Sequence, residues 1–147
     1  MTIAESRLDR FDLFEDLGSQ ELSFIAANCQ EIELGPGDIL IQEGQVGRDV
    51  YLLESGSVRA FRGRTGSARE GVVLDFPTIL GEMAMADPSR IRTLNVVAES
   101  SSRLLSIPIE TFLVFVHSYP LLKEKLRRLI AARRAELAAK MTCSVAA

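Results

Sequence analysis

The chain has 147 residues, 47% of them hydrophobic and 25% charged, with a formal net charge of −3, the profile of one soluble globular domain with its own core. The acidic balance argues against a chain coated in nucleic-acid-binding charge, and no apolar run is long enough to span a membrane. A single histidine, His117, excludes a histidine-cluster metal site and multi-histidine chemistry. Cys29 and Cys143 are too few for a disulfide framework and point to a reducing cytoplasm.

Glu5, Arg7, Asp9 and Arg10 precede any apolar run, so the start does not read as a secretory signal. The spacing of Phe11, Leu13, Phe14 and Leu17 predicts a first helix broken at Gly18. Ser19 is placed to cap a second, with Leu22, Ile25, Ala26 and Cys29 on one face. From Glu31 the texture changes. Ile32 and Leu34 alternate with acids and run into Gly35-Pro36-Gly37-Asp38, a dense turn signal.

Short apolar segments follow at close spacing: Ile39–Ile41, Val50–Leu53, Val58–Phe61, Val72–Leu74 with Phe76, Leu94–Val97 and Leu104–Ile107. Glycines mark turns between them at Gly44, Gly56, Gly63 and Gly66. This pattern predicts a β-barrel or sandwich. Leu80 to Ala86 breaks it, because its helix formers predict a turn or two of helix ended by Asp87-Pro88.

The end is again helical. Ile109–Val116 stops near Tyr119-Pro120. A longer helix from Leu121 to about Met141 carries Leu122, Leu126, Leu129, Ile130, Leu137 and Met141 as an apolar stripe. Between Lys123 and Lys140 seven basic residues stand against Glu124 and Glu136, which reads as a solvated face. Arg133 and Arg134 are expected in water, with stacking on a base as the rarer use.

Chemistry concentrates in Gly81-Glu82 and Arg92-Thr93. A helix start offers unpaired N–H groups and a positive dipole end, and Gly81 permits close approach to the backbone. Arg92 would add a bidentate grip on phosphate oxygens and Thr93 a hydroxyl. Glu82 would repel a phosphate but suits a sugar hydroxyl. The plainer reading is a surface ion pair between Glu82 and Arg92.

The order Gly35-Pro36-Gly37-Asp38, Gly44, Tyr51-Leu52-Leu53, Ser55-Gly56-Ser57-Val58, Gly81-Glu82-Met83-Ala84-Met85, Arg92-Thr93, Val96 and Ala98 resembles the cyclic-nucleotide-binding domain family from about Leu13 to Ala139. The resemblance implies one domain over 1–147, mainly β with flanking helices. It would have N-terminal helices over about 9–30, a jelly-roll β-barrel over 31–108 with a short phosphate-cassette helix, and two C-terminal helices over 109–141. It implies cAMP, or cGMP, held by Gly81, Glu82, the backbone amides of Met83 and Ala84, Arg92 and Thr93. Glu82 would take the ribose 2′-hydroxyl, and the helix 121–141 would be pulled over the base. The sequence departs from the family pattern at Leu80, Leu94 and Asn95. Arg90 competes for the arginine role, but Arg92 puts Thr93, Val96 and Ala98 in register.

The expected function is therefore a cytoplasmic sensor that is not an enzyme, with cAMP favoured over cGMP. It would signal through the 121–141 helix to a second protomer or an effector. The alternative is a domain of the same family that no longer binds nucleotide and serves as an interaction or structural module. With the chain ending at Ala147, no helix-turn-helix and no specific DNA binding are expected. A cupin-type enzyme would need clustered histidine and carboxylate ligands, and no Ser-His-Asp or Cys-His set can be assembled.

Overall fold

The computed structural model describes residues 5–63 and 71–146, with residues 140–146 described by backbone alone. The turn expected at Gly66 lies outside the described residues, as do the side chains of Lys140, Met141 and Cys143. Eight strands and three α-helices follow in order: α1 (Ser19–Ala27), β1 (Gln30–Leu34), β2 (Ile39–Ile41), β3 (Asp49–Ser55), β4 (Ser57–Phe61), β5 (Val72–Asp75), β6 (Thr78–Leu80), β7 (Asn95–Ala98), β8 (Ser102–Pro108), α2 (Ile109–Ser118) and α3 (Pro120–Ala146). Short 3-10 turns cover Glu5–Arg7, Asp12–Phe14 and Glu82–Ala86.

The strands form two antiparallel sheets, ordered β1-β8-β3-β6 and β2-β7-β4-β5. Eight strands divided between two facing sheets in this order, with β4 and β5 a hairpin in one of them, make a jelly roll. The roll is flattened into two layers; among the named strands no ladder joins the sheets, so the expected barrel is a sandwich in its hydrogen bonding.

Period-two alternation assigns the faces. Leu53, Leu80 and Leu104 of the first sheet meet Ile41, Val58, Ala60 and Val96 of the second inside the roll. Val50, Leu52, Ile79, Leu105 and Ile107 point the other way, against Phe14, Leu22, Ile25, Phe112, Phe115, Leu122 and Leu126 of the helical layer. The first sheet is thus covered on both faces. Each fully buried leucine or phenylalanine there is worth about 1.5–3 kcal/mol.

Three local expectations are corrected. The Phe11–Leu17 segment is not an α-helix: Phe11 and Phe14 are fully packed, but only a 3-10 turn at Asp12–Phe14 forms between them. Gly18, not Ser19, is the N-cap of α1, and the Ser19 hydroxyl instead donates to Glu5 at 2.8 Å. Leu80 belongs to β6, whose pairing with β3 claims Thr78, Ile79 and Leu80 before the helical turn starts.

α2 stops at Ser118 as expected, Tyr119 alone separates it from α3, and Pro120 opens α3, the position where its missing N–H costs nothing. Lys125 fastens the base of α3 to Asp16 at 2.7 Å and Glu15 at 3.3 Å, beyond the N-terminal 3-10 turn. Among the described residues, no helix is long and apolar enough to cross a membrane.

Candidate functional site

The strand run is interrupted between β6 and β7, and that interruption builds the cavity. Gly81 ends β6 with φ 80°, a left-handed conformation that glycine adopts freely, and serves as N-cap for the Glu82–Ala86 turn. The first N–H groups of that turn have no partner within it. Arg90, also at positive φ, folds its side chain back onto the far end of the turn. Its Nη1 donates to the carbonyls of Ala84, Met85 and Asp87 at 3.2, 3.0 and 2.9 Å. Arg90 is therefore committed to capping the turn.

Arg92 takes the other role. It is 7% exposed, and its guanidinium donates to two carbonyls, Asp49 at 2.7 Å and Gly81 at 3.2 Å. It makes no ion pair with any carboxylate among the described residues. Burial pulls its pKa below the usual arginine value, although Tyr51, Asp49 and Glu82 oppose the shift; the group stays charged. The backbone leaves it little freedom. A Cβ on Gly81 would sit 2.8 Å from its Nη1, and one on Gly47 would sit 2.5 Å from its Cζ.

The expected surface pair between Glu82 and Arg92 does not form. Glu82 is 3% exposed and accepts a bond from Arg133 of α3 at 2.6 Å. Arg133 also donates to the Ile79 carbonyl and the Thr78 hydroxyl. Its expected place in water is corrected: it is buried because its helical phase puts it beneath the stripe, between Leu126 and Leu137, where three acceptors are waiting.

All six residues singled out in the sequence line one cavity. Gly81, Glu82, Met83 and Ala84 line it together with Arg92 and Thr93, and Ile41, Ala60, Leu74, Leu94 and Val96 supply an apolar interior. Arg133 and Leu137 close it from α3, leaving an empty volume of about 460 Å³, its open mouth included. Thr93 stands exposed at the rim. The arrangement combines a buried cation, a set of N–H donors, a carboxylate and an apolar interior.

The departures from the family pattern have structural uses. Leu80 fills the roll interior at 2% exposure. Asn95 ties two turns together, accepting from the Glu43 N–H at 2.9 Å and donating to the Gly63 carbonyl at 2.7 Å. Sequence reasoning missed Arg133, Gly47, Tyr51 and the Asp49 carbonyl. Arg133 was signalled by its phase, seven residues after Leu126 and four before Leu137 near the centre of the α3 stripe; the other three lie some forty residues from Arg92 and had no local signal.

Fold and site together define a β-roll module with an interrupting helical turn and a C-terminal helix that lines its cavity. The model of the cyclic nucleotide-binding domain matches residues 31–119, more than half of the chain. The chain belongs to the cyclic nucleotide-binding domain family. It is 30% identical over 125 residues, 84% of its length, to a cyclic AMP receptor protein of Thermus thermophilus. Over 110 residues, 74% of its length, it is 30% identical to a cAMP-dependent protein kinase regulatory subunit of Hypocrea atroviridis. It spans 57% of the length of the first and 22% of the second. Among solved structures, the catabolite activator protein of Thermus thermophilus matches with a TM-score of 0.69 at 27% identity, over 90% of this chain and 62% of that one.

Proposed function

We propose that this domain, read as one unit over 1–147, is a regulatory module that binds a cyclic nucleotide, cAMP in preference to cGMP. The cyclic phosphate sits against the Arg92 guanidinium and the N–H groups of Met83 and Ala84, with the Gly81 backbone close beside it and the Thr93 hydroxyl at the rim. Glu82 accepts the ribose 2′-hydroxyl, and α3 lies over the base. The observation that carries this reading is Arg92: a buried cation with no carboxylate partner among the described residues, lining the same cavity as the donor end of the cassette turn. A buried charge without a counterion is costly, and a bound phosphodiester monoanion relieves that cost. The preference for cAMP follows the 30%-identical relative, a cyclic AMP receptor protein.

Ligand moves α3 only if it binds the two positions of that helix unequally. A partner or a second protomer then reads the change. The module carries out no reaction of its own and works in the cytoplasm. The second reading, a family member that has lost nucleotide binding, is favoured by one observation: Glu82 is already engaged by Arg133.

Thermal denaturation with cAMP and with cGMP separates the two. Ligand at one hundred times its Kd adds about 2.7 kcal/mol, a rise in midpoint of about 5–10 °C for a domain of this size. No shift with either nucleotide at millimolar concentration overturns the sensor reading.

A further inference from the structure

Arg92 reaches the cavity from β7's approach, yet much of what holds it comes from the loop before β3 and from β3 itself. The Asp49 carbonyl takes its Nη2 at 2.7 Å, and Gly47 leaves no space behind its Cζ. The ring of Tyr51, half-buried on β3, lies with its centroid 6.0 Å from that Cζ. Tyr51 itself is set by the sheet, opposite Leu80 of β6 and Ser106 of β8, and it packs against the roll interior. It is not among the residues lining the cavity, so its role there would run through Arg92.

We propose that Tyr51 is a positioning residue for Arg92: its ring face holds the guanidinium in the attitude from which it meets the phosphate. A guanidinium near an aromatic face is attracted by the ring quadrupole, more strongly when both are out of water. Two carbonyl bonds and the close backbone of Gly47 and Gly81 confine the guanidinium. The Tyr51 ring adds a further wall to that slot, and its pairing in the sheet holds the ring in place. Binding then loses less side-chain freedom, which raises affinity without a new ligand contact. The inference rests on Arg92 as the phosphate-binding group of the proposed site.

The experiment uses the full chain with cAMP and cGMP as probes in calorimetric titration. Tyr51→Leu keeps the site apolar but removes the ring, and is expected to weaken binding about three- to tenfold. Tyr51→Phe keeps the ring and is expected to stay within about twofold of wild type. Unchanged affinity in Tyr51→Leu, or equal loss in both variants, overturns the ring's role.

A second measurement needs no nucleotide. The chain has two tyrosines and no tryptophan, so in a Tyr119→Phe background the emission belongs to Tyr51. Adding Arg92→Ala is expected to change that emission, and identical spectra overturn the contact. If the wild type binds neither nucleotide while the spectra differ, the proposed function fails and the contact stands without a ligand to position. If the wild type binds and Tyr51→Leu binds equally well, the function stands and this inference fails.

Discussion

Replacing Arg133 with methionine tests whether α3 is fastened to the roll as described. Methionine keeps the aliphatic stem and suits the apolar stripe, so the change removes the guanidinium and its charge. Three acceptors then lose their donor: the Glu82 carboxylate, the Ile79 carbonyl and the Thr78 hydroxyl. The side chains of Arg133 and Glu82 are only 9% and 4% exposed, so the stranded carboxylate is left where water hardly reaches. Breaking one partner of such a pair costs about 3–5 kcal/mol. The last turns of α3 will relieve part of this by lifting and letting water reach Glu82, which brings the expected loss to about 2–3 kcal/mol. For a domain of this size that lowers the melting midpoint by about 4–12 °C. Urea denaturation gives the loss, and hydrogen exchange shows where it falls: amides of 133–139 exchange faster while those of β3 and β8 do not. The double variant Glu82→Met with Arg133→Met recovers much of the loss, because no charge is then stranded. A loss under about 0.5 kcal/mol with unchanged exchange in α3 would refute the reasoning.

Gly47→Ala puts a methyl group 2.5 Å from the Arg92 Cζ, well inside the 3.5–4.0 Å at which carbon atoms rest. The guanidinium must move by about 1 Å, and a lost charge-assisted bond of about 1.5–3 kcal/mol weakens cAMP binding roughly tenfold or more; an affinity within twofold of wild type contradicts the slot. Burial pushes the Cys29 thiol up to about 12, and its S–H donates to the Ile25 carbonyl at 3.2 Å. Because the folded value lies above the unfolded value of 9.0, the contribution to stability is complete below pH 9 and is lost as pH rises from 9 towards 12. Alkylation of Cys29 at pH 8, followed by peptide mass spectrometry, is expected to be at least about tenfold slower in the folded chain than in urea. Arg7→Ala strands Glu54, which is 4% exposed and accepts from Arg7 at 2.5 and 2.9 Å. Arg7 is partly solvated, so the loss is about 1–3 kcal/mol by urea denaturation, and no change would show that Glu54 finds another donor.

Much of this fold was legible because its punctuation is local. Gly37, Gly44 and Gly56 hold positive φ at turns between strands, where the sequence showed glycine among turn residues. The short apolar runs Val50–Leu53 and Leu104–Ile107 read as strands, and both lie in the sheet covered on two faces. The cassette was legible for the same reason, since Gly81-Glu82 and Arg92-Thr93 are short patterns with direct chemistry. What was not legible depends on packing at a distance. Three-residue β6 is a strand only because β3 pairs with it. Phe11 to Leu17 has helical spacing but is shaped by the burial of Phe11 and Phe14. Arg133 read as a solvated charge because Thr78, Ile79 and Glu82, which converge on it, lie more than fifty residues away. Its phase between Leu126 and Leu137 was the available signal, because a charge inside an apolar stripe must find a partner.

The most direct test of the account is a pair of calorimetric titrations with cAMP and cGMP, on the wild type and on Arg92→Ala, with circular dichroism to show that both are folded. The account predicts micromolar or tighter binding to the wild type, cAMP ahead of cGMP, and a loss of tenfold or more in the variant, the equivalent of at least about 1.4 kcal/mol. Equal affinity in wild type and variant, or no heat from the wild type with either nucleotide, would contradict it.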